Sequence, residues 1–214
     1  LNQTNKNMSP SKFITLEGID GAGKSTQLEW ITQYFESKGI PLVVTREPGG
    51  TPLGEELRHC LLNKDWSIHA ETEALLMFAA RCEHLHQVIL PGLANGNWVI
   101  SDRFTDASFA YQGGGRQLEN TKLEILEKWI SDMIQPDLTL YLDVPPTLGK
   151  ERTSRIKPAD RFEKEQQDFF ARVRSAYIER AHQHPERIQV IDASQSLEAV
   201  QQSIAQSLQN LLNI

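Results

Sequence analysis

Short apolar runs alternate along most of the chain with apolar positions at helical spacing, a pattern of buried parallel strands separated by helices. Phe13–Glu17 is the first run and ends at a glycine-rich turn; from Thr26 the apolar positions fall at Leu28, Ile31 and Phe35, which predicts strand, loop, helix. Gly39 and Pro41 end that helix. Leu42–Thr45 predicts a second buried strand closed by the Pro48-Gly49-Gly50 turn, and Leu53, Leu57 and Leu61 suggest a helix after it. A long helix is expected from about Ala70 to a break at Pro91-Gly92. Trp98–Ser101 and Leu138–Leu142 predict two more buried strands, each closing on an aspartate, Asp102 and Asp143. Leu123, Leu126 and Ile130 mark a helix between them. A helix around Phe162–Ala181, a strand at Ile188–Ile191 and an amphipathic helix carrying Leu197, Val200, Ile204 and Leu208 complete the series. The expected fold is α/β: a mostly parallel five-stranded sheet with helices on both faces, whose ligands belong beyond the strands' carboxyl ends.

A length of 214 residues suits one domain, read as 12–214. The polar stretch Leu1–Asn7 lacks the apolar core of a secretory signal and Met8 is a candidate initiator, so residues 1–11 are read as a disordered leader or leftover expression sequence. Composition is ordinary for a soluble globular protein, 39% hydrophobic and 23% charged. No apolar run approaches the ~18 residues of a membrane span. The formal charge of −6 disfavours general nucleic-acid binding and requires any phosphate-bearing ligand to be met by a local basic cluster. Cys60 and Cys82 lack C-x-x-C spacing and read as free thiols of a reducing cytoplasm.

The segment Gly18-Ile19-Asp20-Gly21-Ala22-Gly23-Lys24-Ser25, followed by Thr26, fits G-x-x-x-x-G-K-[ST] between a predicted strand and a predicted helix. Glycines let successive backbone N–H groups turn inward as an anion nest, and the helix start adds its positive dipole end. Lys24 can then reach the β- and γ-phosphates of ATP, and Ser25 can hold Mg²⁺. Asn63-Lys64-Asp65 places its aspartate one position too early for the guanine-reading N-K-x-D.

Thr45-Arg46-Glu47-Pro48-Gly49-Gly50, Asp102-Arg103-Phe104 and Ala110-Tyr111-Gln112-Gly113, in this order after a P-loop, resemble bacterial thymidylate kinases, and the similarity runs from about residue 12 to the last helix. The resemblance implies a P-loop NTPase fold and phosphorylation of dTMP by ATP with Mg²⁺. It implies that Asp20 faces the acceptor sugar, that Glu47 and Arg58 belong to the acceptor site, and that Arg103 clamps the monophosphate. Asp102 takes the metal-side role, with Asp143 as the alternative. Arg81 matches the arginine that bonds the thymine edge, and Ser108, Tyr111 and Gln112 accompany it. At the family's base-stacking phenylalanine this chain has Met77, with Phe78 one residue on; either Phe78 stacks after a small shift or Met77 packs the base.

Lys150, Arg152, Arg155, Lys157 and Arg161 form a basic stretch expected to be a lid, about 149–161. The phosphate loop has Gly21-Ala22 where some thymidylate kinases place an arginine, and similar members supply that cation from the lid. Arg155 is the first candidate for it, with Arg152 or Lys157 in reserve. Lys24, Arg103 and Arg155 thus form the expected catalytic set. The resemblance also suggests a homodimer built through helices. The competing readings are a different nucleoside or nucleotide kinase and a non-catalytic nucleotide-binding module.

Overall fold

The computed structural model describes residues 10–153, 161–162 and 165–212; most of the expected leader and residues 154–160 of the expected lid lie outside them. Five strands form one parallel sheet: β1 (Phe13–Glu17), β2 (Leu42–Arg46), β3 (Trp98–Asp102), β4 (Leu138–Asp143) and β5 (Ile188–Asp192), in spatial order β2-β3-β1-β4-β5. The first strand is central, with β3 on one side and β4 on the other, so its carboxyl end is the switch point where a parallel sheet opens a crevice. Register aligns the strand ends there: Leu16 and Arg46 lie beside Asp102, Glu17 beside Tyr141, and Asp143 beside Asp192.

Successive strand residues feed different core clusters. Phe13 and Val99 pack with Phe78, Phe104 and Phe109, while Ile14 and Ile100 pack with Ile31, Phe35 and Trp98. This is the two-residue period of a sheet covered on both faces, and it explains why β1, β3 and β4 read as continuous apolar runs. Each such side chain contributes about 1.5–3 kcal/mol relative to an exposed position. β2, expected to be buried, is an edge strand whose residues are half-buried or exposed.

The helices are α1 (Lys24–Ser37), α2 (Pro52–Leu62), α3 (Ala70–His84), α4 (Leu90–Ala94), α5 (Thr105–Ser108), α6 (Asn120–Ser131), α7 (Pro146–Thr153), α8 (Gln167–Gln183) and α9 (Leu197–Leu212). Thr51 starts α2 by accepting from the Gly54 N–H at 2.9 Å, with Pro52 in the first turn. Four helical stretches depart from the sequence reading, one of them α7, for which no helix was expected. The helix expected to break at Pro91-Gly92 runs through a π-helical turn, Leu85–Ile89, into α4 and ends at Gly96 (φ 81). Pro91 is tolerated because that wide turn already interrupts the i→i−4 ladder just before it. Residues 105–115, read without an element, form α5 and a π-helical segment, Phe109–Gly115. The helix placed around Phe162–Ala181 begins only at Gln167, which leaves Phe162 in a turn. Among the described residues no helix is long and apolar enough to cross a membrane.

Candidate active site

The phosphate loop leaves the end of β1 with Gly18, Gly21 and Gly23 at φ 144, 81 and 94. A Cβ on Gly21 would sit 2.1 Å from the Gly149 carbonyl oxygen, so α7 packs backbone to backbone against the loop and only glycine fits. Gly23 caps α1 without a side-chain hydrogen bond, and the first turn of α1 holds no acidic residue. The backbone N–H groups of that turn stay directed at an incoming anion. Lys24 is buried; its Nζ donates to the Gly18 carbonyl at 3.0 Å and the Ile19 carbonyl at 3.2 Å, and lies 3.8 Å from Asp20. Burial first, and then the charge of Arg103, pull its pKa below the ordinary lysine value.

Arg103 follows β3 in the left-handed region, φ 72, which is strained for an arginine. Several bonds hold it there. Its N–H donates to Leu16 O at 3.0 Å, its carbonyl accepts from Ser101 Oγ at 2.8 Å, and the next N–H, of Phe104, donates to Glu17 Oε1 at 2.7 Å. The turned backbone sends the guanidinium back to the phosphate loop, where Nη2 donates to Asp20 at 2.9 Å and lies 3.3 Å from the Tyr111 hydroxyl. Glu17 also accepts from the Tyr177 hydroxyl at 2.7 Å; its complete burial, then the nearby charge of Asp106, push its pKa up to about 8.

The two strand-end aspartates differ. Asp143 accepts both arms of Arg174 at 2.7 Å and the Tyr141 hydroxyl at 2.9 Å. Asp102 has a buried oxygen, Oδ1, with no hydrogen-bond partner. An orphan carboxylate oxygen between phosphate loop and acceptor cleft fits a hydrated Mg²⁺ better than one already bidentate to arginine. Ser25, the other residue expected at the ion, is exposed in the first turn of α1. Among the described residues no three His, Cys, Asp or Glu side chains form a metal cage.

Beside the loop a cleft is lined by Asp20, Glu47, Arg58, Met77, Arg81, Arg103, Ser108, Tyr111 and Gln112. All are residues singled out from the sequence, drawn together from the turns that follow β1, β2 and β3, from α2 and α3, and from the 105–115 segment. Phe78 is not among them: it is buried in the core cluster with Phe13 and Phe104, 4.6 Å beneath the Arg81 guanidinium. The three-residue spacing to Arg81 therefore serves packing, and of the two neighbours it is Met77 that lies on the wall. Pro48, Leu62, Ala107 and Phe162 complete the lining and were not named as site residues. Pro48 lay inside the quoted 45–50 motif and Phe162 opened an expected helix; Leu62 and Ala107 carried no chemical signal.

Arg81 is fixed on three sides, donating to Glu47 at 2.6 Å, Ser108 Oγ at 3.0 Å and the Phe104 carbonyl at 2.8 Å. His84 bridges Glu47 at 2.9 Å to Thr45 at 2.6 Å behind it. Arg58 donates to the Pro48 carbonyl at 2.8 Å. Burial, followed by the like charges of Arg46 and Arg103, lowers its pKa from the ordinary arginine value. Of the basic stretch, Arg152 reaches the Gly21 carbonyl at 3.4 Å and Ala193 O at 3.2 Å. Arg161 is tied by Nε to Leu61 O at 2.7 Å and by Nη1 to buried Glu73 at 2.7 Å, so it serves structure near the cleft. Arg155 and Lys157 lie outside the described residues.

A P-loop on a central strand, facing a cleft walled by arginines and an aromatic-polar segment, defines a P-loop nucleotide kinase as the class of protein. Comparison with known proteins narrows this. The thymidylate kinase family model matches residues 16–204. The thymidylate kinase of Nitrosospira multiformis is 64% identical over 92% of this chain and 96% of its own length. That of Nitrosomonas europaea is 57% identical over 95% and 94%. The crystal structure of thymidylate kinase from Ehrlichia chaffeensis superposes with a TM-score of 0.75 at 34% identity, covering 93% of this chain and 98% of that one. The chain belongs to the thymidylate kinase family, and is thus an enzyme of nucleotide biosynthesis whose family reaction is phosphorylation of dTMP.

Proposed function

We propose that this cleft and loop transfer the γ-phosphoryl group of ATP to dTMP, giving dTDP, with the work divided among the residues gathered here. The single observation that carries the assignment is the Arg103–Asp20 bond of 2.9 Å, which joins the acceptor cleft to the phosphate loop and so supports a monophosphate bound beside a triphosphate. Lys24 and the loop N–H groups hold the ATP phosphates, and Arg103 with Arg58 holds and aims the dTMP phosphate. Asp20 faces the acceptor sugar; Arg81, Ser108 and Gln112 meet the base edge, with Met77 and Tyr111 on the apolar walls. Ser25 and Asp102 would hold Mg²⁺, which when bound neutralises phosphate charge. Residues 149–161 act as a lid, and Arg155 supplies the cation that meets the transferred group.

Leu75 on α3 with Ile125 and Trp129 on α6 are exposed apolar side chains, which supports a homodimer through these helices; sedimentation equilibrium tests it. Free Cys60 and Cys82 support a reducing, cytoplasmic setting. The decisive experiment offers dTMP, dUMP, AMP, GMP and CMP with ATP and Mg²⁺ and follows ADP release. Preference for dTMP supports the assignment, and equal turnover of a purine monophosphate defeats it.

A further inference from the structure

The Gln112 amide donates from Nε2 to Glu73 Oε1 at 2.7 Å. Glu73 is fully buried, and its other oxygen, Oε2, is held by Arg161 at 2.7 Å and Arg116 at 3.2 Å. We propose that Glu73 fixes which way round the Gln112 amide is held, and through it selects a pyrimidine-2,4-dione base over an aminopyrimidine.

The argument is one of donors and acceptors. A primary amide has two ends of nearly equal shape, and only its partners decide which end points where. A carboxylate accepts and has no hydrogen to give, so the flipped amide would set its carbonyl oxygen against an anion. Glu73 cannot swing away to relieve this, because two arginines grip it. Nε2 is therefore committed behind the wall. Oε1, which meets no protein donor among the described residues, is the end left for a ligand at the cleft that Gln112 lines.

Arg81, on the same wall, can only donate; three of its five N–H groups are used, and each terminal nitrogen keeps a second. The wall thus offers a donor and an acceptor together. The edge of thymine or uracil carries the complement, a carbonyl O4 next to N3–H. Cytosine carries the reverse, an amino group next to an unprotonated N3, and would meet donor with donor and acceptor with acceptor. Unmatched polar groups of this kind discriminate far better than a methyl group does. A methyl contact cannot substitute for the orientation that Glu73 imposes.

The inference rests on the reading that Arg81 and Gln112 face the base, so the test separates the two. Steady-state kinetics with dTMP, dCMP and 3-methyl-dTMP are compared for the wild type, Gln112→Ala, Glu73→Gln and the exchanged pair Glu73→Gln/Gln112→Glu. The wild type should disfavour 3-methyl-dTMP about tenfold or more, because Oε1 loses its donor. Glu73→Gln frees the amide to turn, so the ratio of kcat/KM for dTMP over dCMP should fall about tenfold, chiefly through the dTMP KM. The exchanged pair restores a donor behind the wall and an acceptor at the cleft, and should regain selectivity; a general packing defect would not be repaired this way. If Glu73→Gln does not fold, the exchanged pair carries the comparison, and its failure to select dTMP overturns the proposal. An unchanged dTMP KM in Gln112→Ala overturns the base-site reading and the inference with it. A raised KM there, with an unaltered dTMP-to-dCMP ratio in Glu73→Gln, leaves the site standing and removes Glu73 from this role.

Discussion

Replacing Glu17 by glutamine should flatten the enzyme's stability against pH. Glu17 ends the central strand, fully enclosed, with one oxygen on the Phe104 N–H and the other on the Tyr177 hydroxyl, each at 2.7 Å. An ordinary glutamate titrates near 4.5; here burial, then Asp106, push the pKa up to about 8, against the opposing pull of Tyr177, Arg103 and the Phe104 N–H. Between those values the unfolded chain has lost its proton while the native state keeps it, so the native state binds more protons and stability falls as pH rises. The contribution is fully present below 4.5 and is lost as pH climbs through about 8. At ~1.4 kcal/mol per pH unit over that gap the loss is on the order of 5 kcal/mol. Glutamine keeps the shape, an oxygen for Phe104 and a nitrogen that can donate to Tyr177, yet it is neutral in both states. Urea unfolding followed by circular dichroism from about pH 5 to about pH 9 measures the difference. The wild-type curve should descend relative to the variant, while groups common to both, including the low-pKa Asp106 between Arg180 and Arg187, cancel. Parallel curves would refute the reasoning, because they would mean that Glu17 ionises alike in both states.

Lys24→Ala should cost at least about 10²–10³-fold in kcat, since a donor aimed at the transferring phosphates is lost, while circular dichroism and the melting temperature show a folded protein. Asp102→Asn should raise the Mg²⁺ concentration for half-maximal rate about 10–100-fold, read from a metal titration at saturating nucleotides. Arg155→Ala should lower kcat by about 10³–10⁵ with little change in ATP affinity, which a coupled assay and direct ATP-binding measurements separate. Unchanged turnover would remove Arg155 from the lid role and turn attention to Arg152, already within reach of Gly21.

The three central strands were legible because a sheet covered on both faces leaves no polar alternation to confuse the reading, and both β3 and β4 end on the aspartates expected of them. The family and the dTMP reaction were legible because phosphate loop, acceptor loop and Asp102-Arg103 stand in fixed order. Helical segments 105–115 and α7 were not, because their apolar positions follow no 3.6-residue period over enough length: one widens into π turns and the other is eight residues rich in charge. The exchange of Phe78 for Met77 on the wall shows the same limit at one position. Both neighbours are apolar on one helix, and only the packing of Phe13, Phe104 and Arg81 around Phe78 decides which faces inward. Glu73 was invisible for a different reason. Its meaning lies in partners 39 residues away at Gln112 and further on at Arg161, and nothing local to α3 marks it.

Those distant partners share an electrostatic logic with the phosphate end of the cleft. Lys24 and Arg103 are both directed at Asp20, at 3.8 and 2.9 Å, so one carboxylate serves two cations. Arg58 lies close enough to Arg46 and Arg103 for their repulsion to favour loss of its proton. Positive charge held this way is costly in a partly buried crevice unless an anion shares it. The clamped φ of Arg103 fixes where its side chain starts, and the contacts of Nη2 with Asp20 and the Tyr111 hydroxyl hold the guanidinium beside the loop. A phosphate entering the cleft therefore gains the relief of that repulsion besides its own hydrogen bonds. An anion whose charge spreads across the gap between Lys24 and Arg103, as a phosphoryl group in transit does, satisfies both cations at once. On the proposed assignment of Lys24 and Arg103, cations that an anion must bridge would favour the transferring group over either nucleotide bound alone.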